Sequence, residues 1–277
     1  ANTGVVVCSP MTTALALDGY PDNGFFFRTA PSDSLQMVAI ARQAERTGAR
    51  QVAIGYLDDP YGRDLAGSLE DAMRSRTPEL VASIGFSGDQ DDLSDVAELL
   101  LEDNPGVVIV LGDADDGSRL LTALDAATIS PPQIIVNDSN RQARQTIQNL
   151  SLLFRDRLQG VAPQSGSSMG DAPSGFFVPH AVDCVNLITL AAMDAESDNP
   201  VPIRVNMAAV STGGRVCVTF AACASLVEQN LGIDYNGLSG RVDLSNATGD
   251  PLRAWFEVFG FDADGNEVYD NPIEVAV

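Results

Sequence analysis

Lysine is absent from the 277 residues. All 16 basic side chains are arginine, set against 38 aspartates and glutamates, and the net charge is -22. A chain this acidic repels phosphate backbones and anionic lipid, which argues against nucleic-acid or membrane-surface binding. The arginine-only basic set reads as codon bias together with an acidic surface. Histidine occurs once, as His180, and no CxxC pair is present, so a zinc site has almost no support. Aromatics make up only 6%, so the core must be built from Ala, Val, Leu and Ile within the 45% apolar content. No apolar run reaches the roughly eighteen residues a membrane helix needs. No signal peptide is visible, and Ala1 to Val7 run straight into an apolar strand, as a processed or partial chain would. GxGxxG after a strand and the P-loop are also missing, and with them the usual nucleotide chemistry.

What is present is a strand–helix alternation. Val5 to Cys8 reads as a buried strand. Ser34 to Thr47 carries Leu35, Val38, Ala41 and Ala44 at helical spacing, with Asp33 as N-cap and Gly48 as C-cap. Gln51 to Leu57 is a strand, and Tyr61 to Arg76 a helix entered through Asp58-Asp59-Pro60. Leu80 to Phe86 is a strand, and Leu93 to Leu101 a helix with Asp91 and Asp92 at its start. Val107 to Leu111 is a strand, Ser118 to Ala127 a helix, and Gln133 to Val136 a strand. Continuous apolar strands alternating with helices predict an α/β fold with a parallel sheet covered on both faces. In such sheets ligands bind outside the carboxyl ends of the strands. The loops to inspect are therefore Ser9 to Thr13, Asp58 to Tyr61, Gly112 to Asp116 and Asn137 to Ser139.

Gln164 to Gly175 is rich in Gly, Ser and Pro and reads as a linker, followed by an apolar helix over Val182 to Ala195. Phe256 to Phe261 and Glu267 to Tyr269 flank Asp264-Gly265, a hairpin signal. Asp262 to Asn266 has the look of a calcium loop but lacks the terminal carboxylate, so a turn is expected. Cys217 and Cys223 are close enough to bridge, which would fit an oxidising compartment, although two separate buried thiols remain an alternative. Cys8 and Cys184 read as small core residues.

Several of these segments resemble one family. Phe26-Phe27-Arg28-Thr29-Ala30-Pro31-Ser32-Asp33-Ser34-Leu35-Gln36 is similar to a segment of the type I periplasmic binding proteins, in particular those for branched-chain amino acids. Ser9-Pro10-Met11-Thr12-Thr13 resembles their Ser-Pro-x-x-Thr loop, and Asp59 to Arg63 their Tyr-Gly turn. Val182 to Leu187 resembles the helix that returns to the first lobe, with Val182 in place of the usual Tyr. Ile233 to Gly240 resembles the C-terminal crossing region.

The resemblance implies a two-lobed fold, with lobe 1 at 1–31 and 179–251, lobe 2 at 32–162 and 252–277, and a linker at 163–178. Hinges would lie near Ala30 to Asp33, Val161 to His180 and Ser239 to Pro251. It also implies that lobe 1 is truncated by several β-α units, on the order of a hundred residues. A separate chain, a removed segment or a partner subunit would then complete it.

The function implied is delivery of an amino acid, without a cofactor, from outside the cytoplasm to an ABC transporter permease. The full precursor would be lipid-anchored. The Ser9 to Thr13 loop, with Ser9, Met11 and Thr13 at the site, would hold the ligand's carboxylate and Asp138 its ammonium, with Asp33, Tyr61 and Asp113 lining the site. Each has a bland alternative. Thr12 or Thr13 could be a helix N-cap, Asp33 likewise, Asp138 a turn residue, Tyr61 a half-buried ring, and Asp113 with Asp115 and Asp116 a solvated acidic turn. At the level of function, the alternatives are an enzyme, disfavoured by the missing motifs, a sensing module of the same fold, or a fragment that binds nothing.

Overall fold

A computed structural model of the chain describes residues 4–74, 76–164 and 175–277. In chain order the elements are β1 (Val7–Ser9), β2 (Phe26–Arg28), α1 (Asp33–Arg46), β3 (Gln51–Leu57), α2 (Pro60–Met73), β4 (Glu79–Phe86), α3 (Ser94–Leu101) and β5 (Val107–Leu111). They continue with α4 (Ala114–Ala127), β6 (Gln133–Asn137), α5 (Arg144–Asn149), α6 (Leu152–Asp156), β7 (Leu158–Pro163), α7 (Val178–Asp194), α8 (Pro200–Ala209) and β8 (Arg215–Cys217). The last are α9 (Phe220–Glu228), β9 (Ile233–Gly237), β10 (Gly240–Arg241), β11 (Arg253–Phe261) and β12 (Glu267–Ala276).

The chain divides into two compact units. Unit 1 comprises Ala1–Leu35, Pro163–Trp255 and Glu274–Val277, and unit 2 comprises Gln36–Ala162 and Phe256–Ile273. The divisions fall four residues beyond two of the boundaries implied by the resemblance, and the last four residues fall in unit 1. Most of the expected 163–178 linker lies outside the described residues.

Unit 2 is organised by a seven-stranded sheet of order β12-β11-β7-β6-β5-β3-β4, in which β4, β3, β5, β6 and β7 run parallel. All five residues of β5 are fully buried, because helices cover both faces and alternate side chains have no polar side to face. Val108 and Val110 join Ala53, Ile134 and Val136 in a core with Leu100, Leu120, Leu121 and Phe259. Strand β3 has β4 on one side and β5 on the other, so the chain steps from β3 to β4 and then crosses back past β3 to β5, reversing direction. That reversal makes a crevice at the carboxyl ends of β3 and β5.

Unit 1 is built differently. It contains a parallel pair, β1-β2, and a three-stranded sheet, β10-β9-β8. Its core joins Phe27 to Leu187, Leu190, Met207, Val227, Ile233 and Tyr235. Two disulfides staple it. Cys217–Cys223 is the bridge foreseen from spacing, whereas Cys8 and Cys184, expected as small core residues, are joined in a second bridge. The latter joins residues 176 apart in sequence, with Cα atoms 5.6 Å apart. Two polar hubs complete the unit. The Asp183 carboxylate accepts hydrogen bonds from Tyr235 Oη (2.7 Å), the N–H groups of Leu238 (2.9 Å) and Ser239 (2.7 Å), and Ser239 Oγ (2.6 Å). Buried Arg28 donates to Asp250 (2.6 Å), to Asp18 and to the carbonyl of Ala14 (3.2 Å).

Several element starts differ from those expected. Helix α4 begins at Ala114, so Asp115 and Asp116 form its first turn rather than a separate acidic turn. Helix α7 begins at Val178, because Pro179 occupies a first-turn position where its missing N–H costs nothing. Asp33 is the first residue of α1 and not its cap, since Ser32 Oγ accepts the Ser34 N–H at 3.1 Å. The Asp262 carboxylate accepts the N–H groups of Asp264 (2.9 Å) and Asn266 (2.8 Å), which makes Asp262 to Asn266 a hairpin turn.

Candidate functional site

The carboxyl ends of unit 2's parallel strands carry three of the loops singled out in the sequence. After β3, Asp59 caps α2 by accepting the Gly62 N–H at 2.6 Å, with Pro60 at the first helical position. A Cβ on Gly62 would lie 2.0 Å from the carbonyl oxygen of Leu57, so only glycine lets the helix start this close to its strand. Tyr61, the second helical residue, is 41% exposed, which is compatible with a partly covered residue at the helix start. After β5, Asp113 caps α4 by accepting the N–H groups of Asp115 (2.9 Å) and Asp116 (2.8 Å). Its carboxylate is engaged by the helix, which weakens its case as a ligand contact.

After β6 the chain enters a short 3-10 turn, Asp138–Gln142, and Asp138 is buried. Its Oδ1 accepts from Gln36 Nε2 at 2.9 Å, while the same amide donates to the carbonyl of Val161 at 2.9 Å. Burial pushes the Asp138 carboxyl above its ordinary range, although Gln36, nearby backbone N–H groups and the charge of Arg141 pull it back. Arg141 is itself held by Glu257 and Glu267. A buried carboxylate with no cation in contact among the described residues, at the carboxyl end of a parallel strand, is suited to a ligand cation.

Sequence reading missed the residues that position this loop. Gln36 orients Asp138. Asn137 Oδ1 accepts from Asn140 Nδ2 (2.8 Å) and the Gly112 N–H (3.3 Å), tying the ends of β5 and β6 together. A Cβ on Gly117 would meet Asn140 Oδ1 at 2.2 Å, so this glycine admits the asparagine against α4. The only local signal was the Gly-Asp-Ala-Asp-Asp-Gly spacing, which gave no hint of Asn140.

In unit 1, Ser9 closes β1. Its Oγ donates to Thr12 Oγ1 at 2.6 Å and accepts the Thr12 N–H at 3.2 Å. No α-helix starts at Thr12 or Thr13, so neither is a helix cap. A single 3-10 turn, Leu15–Leu17, follows without a side-chain cap. The Thr13 carbonyl accepts the Asp33 N–H at 2.9 Å. The Thr13 hydroxyl, half-buried, hydrogen-bonds nothing among the described residues. Met11 is 61% exposed and Asp33 is buried at 1%, so the loop presents Met11 outward and encloses Asp33. Ser9, Thr12 and Thr13 therefore form a compact hydroxyl-bearing turn, and Asp33 underlies it.

The single histidine is structural. His180 Nδ1 lies 2.9 Å from the Thr29 carbonyl, Thr29 Oγ1 donates to the His180 carbonyl at 2.8 Å, and burial holds the imidazole below its ordinary range. Among the described residues there is no cluster of metal-ligating side chains, and no helix is long and apolar enough to cross a membrane.

A family model described as periplasmic binding protein matches residues 1–171. The chemotactic signal transduction system substrate-binding protein BasB of Halobacterium salinarum is 26% identical over 266 residues, covering 87% of this chain and 61% of BasB. The chain thus spans about three-fifths of that curated relative. Among solved structures, the leucine-binding protein LivK of Thermotoga maritima superposes with a TM-score of 0.73 at 15% identity, covering 98% of this chain and 74% of LivK. LivJ of Streptococcus pneumoniae, a branched-chain amino-acid transporter substrate-binding protein in complex with isoleucine, gives 0.69 at 16% identity, covering 100% and 74%. With more than half of its length matched, the chain belongs to the periplasmic binding protein family and carries the type I fold that LivK and LivJ share.

Proposed function

We propose that this chain is the ligand-holding part of an extracytoplasmic solute-binding protein that delivers a small zwitterion, an amino acid, to an ABC transporter permease. The observation that carries the reading is Asp138, a buried carboxylate at the end of β6 with an amide partner but, among the described residues, no cation in contact. It takes the ligand's ammonium. The hydroxyls of Ser9 and Thr13 take the carboxylate, as hydrogen-bond donors to an anion. Met11 and Tyr61, both exposed, are the apolar contacts available to the ligand's side chain. Asp33 and Asp113 act one step back, as supports of their loops. Both disulfides fit an oxidising, extracytoplasmic compartment. Turnover of the ligand plays no part in this role.

The exposed valines in and beside strands β1 and β8 of unit 1, Val5, Val7, Val216 and Val218, are 39–64% accessible. They fit a further strand-bearing segment that covers them, from the same polypeptide or a partner. Intact mass and hydrogen exchange on the protein from its native source test this part separately.

The test of the site is calorimetric titration with a panel of amino acids and the matching 2-oxo acids, which lack the ammonium. Asp138→Asn is expected to weaken amino-acid binding at least tenfold and leave the 2-oxo acids nearly unaffected. Equal losses for both classes, or none, would remove Asp138 from the ammonium site. A second reading, ligand sensing in place of transport, is favoured by the match to the chemotactic protein BasB. Neighbouring permease and ATPase genes support transport, and a neighbouring transducer gene supports sensing.

A further inference from the structure

A different pocket opens at the opposite, N-terminal end of unit 2's sheet, where β3, β5, β6 and β7 begin. It encloses about 700 Å³, and its wall includes Gln43, Arg46, Gln133, Arg157 and Asp270. One strand length, about 15 Å, separates it from the Asp138 loop.

The charged donors on this wall are two arginines. Arg46, in the last turn of α1, is fixed by the carbonyls of Asn271 (2.8 Å) and Pro272 (3.2 Å). A guanidinium has five N–H donors, so several remain. The Arg157 side chain is exposed and has no acceptor among the described residues. Gln133 Nε2 donates to the Arg157 carbonyl at 2.8 Å, which fixes the floor between them. The nearby backbone N–H groups are already used, by Glu45 for Gly48, Thr47 for Ala49 and Gln51 for Gly106. Gln43 is 4% exposed. Its Nε2 donates to Gln159 at 2.9 Å, while its Oε1 has no donor. Two arginines on one pocket run against the field of a chain carrying -22. Such a local reversal of sign favours an anion there and disfavours cations, with Asp270 as the single opposing charge.

We propose that this pocket is a second binding site, for a small hydroxy-dicarboxylate. Arg46 and Arg157 each face one carboxylate, for which the guanidinium fork is shaped. The ligand's hydroxyl donates to Gln43 Oε1, the buried acceptor left open. The site stands on unit 2 alone and does not depend on the amino-acid reading.

Titration of the full chain with malate, against succinate and against sodium chloride at matched ionic strength, tests it. Malate is expected to bind saturably at one site, with succinate weaker because it lacks the hydroxyl. Arg157→Gln should weaken malate at least tenfold. Because that side chain has no protein acceptor, the variant should keep its fold, read as an unchanged melting temperature. Gln43→Leu should bring malate down to the level of succinate. Asp138→Asn should leave malate binding unchanged, which separates this site from the amino-acid site. The proposal is overturned if malate binds no better than chloride, or if Arg157→Gln retains full malate affinity.

Discussion

Unit 2 carries one seven-stranded sheet with strands buried on both faces, whereas unit 1 shares its five short strands between two sheets and leaves valines of β1 and β8 exposed. Both units bury a charged hub, Arg141 with Glu257 and Glu267 in unit 2 and Arg28 with Asp18 and Asp250 in unit 1. Unit 2 also holds Asp138, which has no cation in contact among the described residues. In unit 1, Arg28 and Asp183 are locked in hubs with every partner supplied from the same unit. Both disulfides lie in unit 1. A large core draws most of its stability from apolar area. A small one needs cross-links and satisfied polar hubs to reach the same end.

The largest test of that contrast is to open Cys8–Cys184 with a double serine variant. In the chain-entropy account the loss is about 3 to 5 kcal/mol, the lower figure applying if unit 2 stays folded inside the enclosed loop. Hydrogen exchange should show lost protection over β1 and α7 and retained protection over β5 and β6. Equal loss in both units would show that the staple serves the whole chain and not unit 1.

Next in size is Arg28→Met. Removing the cation leaves Asp250 and Asp18 facing each other across a buried site, a change of about 3 kcal/mol. The upper end of the range does not apply, because Asp18 is 35% exposed and can recover water. A chemical-denaturation loss below about 1 kcal/mol would mean the buried pairs merely break even. In unit 2 the matching probe is Ile109→Val, which removes one methylene from a fully buried strand. A loss of about 1 kcal/mol is expected, with protection reduced around β5 and unchanged around β1.

The two units also differed in how far their sequences could be read. In unit 2, β5 appears directly as Val107 to Leu111, because a strand buried on both faces leaves an uninterrupted apolar run. The position of Asp138 follows from the end of the next such run. Gln36 was visible only as a letter in a motif. Its role depends on a contact 102 residues away, and no local pattern encodes such a pairing. Unit 1 was harder to read for the same reason. Cys217–Cys223 could be suspected from a spacing of six, while Cys8 and Cys184 have nothing in common except the fold. Arg28 looked like an ordinary basic residue, since one of its partners, Asp250, lies 222 residues away in sequence.

The smallest effect expected is one of pH, and it again separates the units. Burial holds His180 in unit 1 below its ordinary pKa, so the folded chain keeps the ring neutral where the unfolded chain already takes a proton. As pH falls below the unfolded value of about 6.5, protons favour the unfolded form and unit 1 loses stability. Asp138 in unit 2 has the opposite sign. Its carboxyl is raised, so the folded form holds the proton more tightly and unit 2 gains as pH falls toward the unfolded value of 3.8. Hydrogen exchange at pH 7 and pH 5 should therefore show protection falling over α7, around His180. In His180→Gln, which cannot take up a proton, the pH 7 to pH 5 change over α7 should vanish. If the change persists in that variant, the acid sensitivity of unit 1 lies in its carboxylates and not in the buried imidazole.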